Sequence, residues 1–85
     1  MSPELETLDQ LQGGDMPLEV IRRVYPDADR FARGLSGLLA SGEVQLLGSD
    51  GSILPGWQWR GVLTAEPTLQ DVTVHLTLAG AQRIG

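Results

Sequence analysis

Apolar residues in the first half of the chain recur at helical spacing, and in the second half they alternate. Leu5, Leu8 and Leu11 fall near one face of a first helix. Ser2-Pro3-Glu4 opens it: serine can cap, proline suits the first helical position, and acids suit the positive end of the helix dipole. Gly13-Gly14 stops it. Asp15 is the expected cap of a second helix, with Pro17 in its first turn and Leu18, Val20, Ile21 and Val24 on its apolar side. Pro26 ends that helix, because the residue before a proline is pushed out of helical geometry. Asp27 caps a third helix over 28–41, where Phe31, Leu35, Leu38 and Leu39 recur at i, i+4, i+7 and i+8. Ser41-Gly42 ends it, with glycine where a left-handed cap is expected.

After Glu43 the period becomes two. Val44-Gln45-Leu46-Leu47 reads as a short strand, 48–51 as a turn, and Ile53-Leu54 as the continuation of a hairpin until Pro55-Gly56 interrupts it. Residues 57–65 read as a further strand and 66–70 as a loop. Residues 72–78 alternate most cleanly, with Val72, Val74, Leu76 and Leu78 on one face and Thr73, His75 and Thr77 on the other. Three N-terminal helices (1–42) followed by a small antiparallel sheet (43–85) form an α+β domain, a single unit over 1–85.

Cysteine is absent and histidine occurs once, so a disulfide framework is excluded and neither a metal site nor a cofactor is expected. No long apolar run and no leader pattern is visible, and the expected location is the cytoplasm. The net charge of −5 argues against coating nucleic acid by bulk attraction. The charge is uneven, however. Residues 1–15 carry four acids and no base, 43–85 carry a net −2, and 16–42, with four arginines, carries +1.

The order of elements resembles the winged helix-turn-helix superfamily. A tight turn at Tyr25-Pro26-Asp27 joins two helices, and the second leads straight into a strand. LLASGEVQL (38–46) is similar to the passage from a recognition helix into a wing strand, and HLTLAG (75–80) to the end of the last wing strand entering a closing turn or helix. Two features depart from the pattern. Twenty-four residues separate the strand at 44–47 from that at 72–78, room for an extra strand holding the tryptophans. The sequence also stops at Ile84-Gly85, so a closing helix is expected to be vestigial.

The resemblance implies a double-stranded DNA-binding protein, a transcriptional regulator acting as a homodimer, with helix 28–41 in the major groove and the wing on backbone. The groove-facing candidates are Arg30, Arg33 and Ser36, with Arg60, Arg22 and Arg23 on phosphate. Asp29 weakens this by placing an acid beside the arginines. Gly34 and Gly37, inside the helix, each cost about 1 kcal/mol relative to alanine, which points to tight packing or a close partner. The alternative is a protein-interaction module in a larger assembly, using the acidic surface and the Trp57–Trp59 strand. Arginines gathered on one face would favour DNA; scattered arginines and an exposed tryptophan would favour protein.

Two of the four aromatic residues are Trp57 and Trp59. Strand alternation puts both on one face with Arg60 opposite, and a domain short of aromatics is expected to bury at least one. His75 is the single acid–base candidate. Its strand position between two threonines suggests a surface residue, and Asp50, Glu66 and Asp71 are loop acids of unknown proximity. Gly13-Gly14 lacks the lysine and preceding strand of a phosphate loop. No enzymatic activity is expected.

Overall fold

The computed structural model describes residues 2–64 and 71–84. The loop expected at 66–70 lies outside them, as does residue 65. The fold is α+β, with five helices and a three-stranded antiparallel sheet among the described residues. In chain order these are α1 (Pro3–Leu11), β1 (Met16–Pro17), α2 (Leu18–Arg22), α3 (Ala28–Ala40), β2 (Val44–Leu47), α4 (Gly56–Thr64), β3 (Thr73–Leu76) and α5 (Leu78–Ile84).

The two long amphipathic helices start where the side chains dictate. Ser2 Oγ accepts from the Leu5 amide at 3.3 Å, and Asp27 Oδ1 accepts from the Arg30 amide at 2.7 Å. Gly42 follows α3 with φ +76°, a left-handed turn that glycine adopts without a Cβ penalty. The chain then enters β2 directly.

The start of the second helix differs from expectation. Met16-Pro17 is extended and pairs with β3, Met16 opposite Val74 and Pro17 opposite Thr73. The helix therefore begins at Leu18, and Asp15 does not cap it: Pro17 is the capping position, with no side-chain cap. Pro17 is tolerated because β1 is an edge strand, in the order β1-β3-β2. Asp15 instead reaches across to β3, its Oδ1 2.7 Å from His75 Nδ1.

β2 and β3 pair from Val44–Leu76 to Leu47–Thr73, and Leu47 forms an isolated bridge to Ile53, so the hairpin continuation at 53–54 exists in shortened form. β3 ends at Leu76, earlier than the alternation suggests. Val72 and Val74 are buried as expected, but Leu78 opens α5 and is 75% exposed. The Thr77 hydroxyl terminates the strand by accepting from the Gly80 amide at 3.2 Å while lying 2.6 Å from the Gly42 carbonyl, to which it donates. A closing helix is thus present, seven residues long, and Arg83 anchors it to Glu43 at 2.7 Å.

The largest correction concerns 57–65. Over its described part, 57–64, the stretch is not an extra strand: Gly56–Thr64 is helical. Trp59, Val62 and Leu63, at i, i+3 and i+4, form the face turned to the core, with Leu63 buried and the other two packed against it. Aromatic strand propensity is a weak preference that such packing overrides. The core itself joins Leu8 and Leu11 of α1, Leu18 and Ile21 of α2, four residues of α3, and the inward side chains of β2 and β3. Tyr25 and Phe31 meet edge to face at its centre, ring centroids 5.6 Å apart.

Candidate interaction surface

Helical geometry separates the two tryptophans. Residues two apart on a helix lie about 200° around the axis, so Trp57 and Trp59 face opposite ways rather than sharing a face. Trp59 is half-buried and its Nε1 donates to the Leu54 carbonyl at 3.3 Å. Trp57 is 80% exposed. Arg60, Gly61 and Thr64 follow it at i+3, i+4 and i+7 and are exposed too, so one face of α4 presents Trp57 beside Arg60. Arg60 therefore lies on the same side as the exposed tryptophan, not across a sheet from it.

α4 packs against α3. Between them runs an open groove of about 530 Å³, lined by Asp29, Ala32, Arg33 and Ser36 from α3 and by Arg60 and Thr64 from α4. Three of the six sequence candidates, Arg33, Ser36 and Arg60, thus converge on one feature. Thr64 and Ala32 were not singled out from the sequence. Thr64 becomes legible once 56–64 is read as a helix, because it then falls four residues after Arg60. Its hydroxyl donates to the Arg60 carbonyl at 2.8 Å.

The other three candidates go elsewhere. Arg30 Nη2 is held by Glu4 Oε1 at 2.7 Å, a half-buried pair that raises the arginine pKa chiefly through that hydrogen bond. Arg22 lies against the core: its Cζ is 5.7 Å from the Phe31 ring centroid and its Nη1 donates to the Tyr25 carbonyl at 3.4 Å. Arg23 is exposed just beyond α2 and does not line the groove. Arg33 bridges Asp29 at 3.0 Å, with both side chains largely in solvent.

A second cavity, of about 430 Å³, lies where Ser2 and Glu4 of the α1 end meet α3 and Arg83. Within it Arg30 pairs with Glu4 and Arg83 with Glu43; Arg33, which borders this cavity as well as the groove, has Asp29. Burial alone would raise the Glu43 pKa, but the Ser41 hydroxyl at 2.6 Å and the Arg83 guanidinium together hold it below the ordinary 4.5. This cavity is a structural junction between α1, α3 and α5.

His75 has Asp15 for a partner rather than Asp50, and no partner from Asp71; Glu66 lies outside the described residues. The pair is half-exposed and ties the α1–β1 connection to the central strand. Among the described residues no cluster of three or more metal-ligating side chains occurs, and no helix is long and apolar enough to cross a membrane. Compared with protein-family models, curated proteins and solved structures, the chain finds no match in any of the three.

Proposed function

We propose that the domain is a protein-interaction module of winged-helix type, with α4 as its contact element. The observation that carries this is Trp57, 80% exposed on a face it shares with Arg60. Tryptophan and arginine, with tyrosine, are the residues most enriched among the energetic centres of protein interfaces. The winged-helix assignment is supported by the element order helix–strand–helix–helix–strand, a final antiparallel strand, and the sheet order β1-β3-β2. The long insertion that carries α4 takes the place of a simple wing.

The arginine distribution supports protein over DNA. Arg30 and Arg83 are neutralised by acids, and Arg22 is packed on Phe31. Two or three phosphate contacts on a body of net charge −5 give a weak electrostatic term, since affinity scales with the number of phosphates neutralised. Geometry adds to this. The major groove is about 12 Å wide and a helix with its side chains about 10–12 Å across, so the groove admits one helix. α4 flanks α3 along Asp29, Arg33 and Ser36, the side chains that would have to enter.

One observation favours DNA as the second reading: Arg33, Ser36 and Arg60 face a common groove. Two measurements separate the readings. Quantitative affinity capture with the wild-type domain, Trp57→Ala and Leu78→Ala tests the first, Leu78 being an equally exposed apolar residue on another helix. A partner lost with Trp57→Ala and retained with Leu78→Ala supports the module; one retained by both variants overturns α4 as the contact element. Titration of a labelled random duplex at low and moderate salt tests the second, and tight binding abolished by Arg33→Ala with Arg60→Ala would reinstate DNA.

A further inference from the structure

The groove between α3 and α4 holds more positive charge than the acid within it can satisfy. Arg33 and Arg60 line it against Asp29, on a chain whose net charge is −5. Arg60 forms no ion pair among the described residues. Arg33 has Asp29, but with side-chain exposures of 71% and 78% this is a solvated pair, held weakly and readily exchanged for a better partner. Of the other four arginines, three are committed, Arg30 to Glu4, Arg83 to Glu43 and Arg22 to the Phe31 ring and the Tyr25 carbonyl, while Arg23 is exposed away from the groove. Ser36 adds a hydroxyl to the groove wall, and Trp57 stands one helical turn before Arg60 on the same face of α4.

Resting on the interaction-module reading, we infer that this groove receives an acidic side chain of the partner protein. The carboxylate enters between Arg33 and Arg60, and a neighbouring apolar residue of the partner packs on Trp57. Guanidinium forks match a carboxylate in two-point geometry, which a single ammonium cannot do. Indole packed beside the pair excludes water and strengthens the attraction. Charge complementarity selects the occupant: the groove is a basic notch on an acidic domain, so an acidic segment gains attraction there and is repelled by most of the remaining surface.

The test is fluorescence anisotropy of a fluorescein-labelled decapeptide of alternating Glu and Leu pairs, titrated with the domain at low and moderate salt. The variants are Arg33→Glu, Arg60→Glu and Arg60→Gln, with Arg23→Glu as a control that makes the same charge change away from the groove. The expected result is salt-sensitive binding that Arg33→Glu and Arg60→Glu each weaken by about tenfold or more, while Arg23→Glu changes it by no more than about twofold. Arg60→Gln, which keeps a polar side chain on the aliphatic stem and removes its charge, is expected to lose most of the same affinity with an unchanged melting temperature. Equal losses from Arg23→Glu and Arg60→Glu would overturn the site, because bulk charge would then explain the binding. Absence of peptide binding alongside Trp57-dependent partner capture would overturn the acidic-segment inference and leave the module standing; absence of both would overturn both. A labelled duplex bound more tightly than the peptide, with the same Arg33 and Arg60 dependence, would assign the groove to nucleic acid instead.

Discussion

A Cβ placed on Gly34 would lie 2.6 Å from Cε1 of Tyr25, closer than any side chain tolerates. The ring cannot retreat easily: it packs edge to face on Phe31, and its hydroxyl lies 3.0 Å from the Thr7 hydroxyl. Burial there pushes the Tyr25 pKa up. A Cβ on Gly37, one helical turn later, meets nothing within 4 Å. The two glycines of α3 therefore have different reasons to be there. Gly34→Ala is expected to destabilise by about 1–3 kcal/mol through overpacking, set against the helix-propensity gain. Gly37→Ala is expected to stabilise by up to about 1 kcal/mol, and each kcal/mol raises the melting temperature by about 4–8 °C in a domain of this size. Thermal melts of the two variants check both signs.

The two tryptophans divide in the same manner. Trp59 packs on the core and donates to the Leu54 carbonyl, so Trp59→Ala is expected to cost about 2 kcal/mol, below the range for a fully buried ring. Trp57→Ala removes an exposed ring and is expected to change stability by no more than about 0.5 kcal/mol. Urea denaturation followed by circular dichroism measures both. Equal losses from the two substitutions would mean that α4 does not sort its indoles as described.

Glu43 connects acid stability to the closing helix. Its folded pKa lies below the ordinary 4.5, so its contribution is present above that value and is lost as pH falls through the folded pKa. The contribution comes from Ser41 and from Arg83, the latter on α5. Arg83→Met is therefore expected to be less stable than wild type at neutral pH, and the difference should shrink as pH drops below 4.5 and Glu43 takes up its proton. Denaturation midpoints measured from pH 7 down to about pH 3 test this. A difference that stayed constant across the range would show that Arg83 acts by packing alone.

The parts of this fold legible in the sequence are those encoded locally. Ser2 and Asp27 announce their helices, the Phe31–Leu39 pattern fixes the buried face of α3, and Val44–Leu47 alternates as a strand should. β1 carries no such signal, because two residues have no period and Met16-Pro17 is a strand by virtue of pairing with β3. That pairing also frees Asp15 from capping. α4 misleads because Trp57 and Trp59 mimic a strand's alternation, while the helical triplet Trp59, Val62 and Leu63 spans barely one turn. The site divides likewise. Arg33 and Ser36 are readable from the face of one helix, and Arg60 is readable from its side chain's chemistry although it sits on a helix and not on a strand. The capture of Arg30 by Glu4, 26 positions away, is a tertiary event that no local pattern records.

The most direct test of α4 as a protein-contact element is site-specific photo-crosslinking in cells, with benzoylphenylalanine placed at Trp57 and, as controls, at Leu78 and Ser36. A discrete protein adduct from position 57 that is absent from position 78 is the predicted result. Nucleic-acid adducts from position 36 with no protein adduct from position 57 would contradict it, and would make α3 a reader of DNA despite the helix beside it.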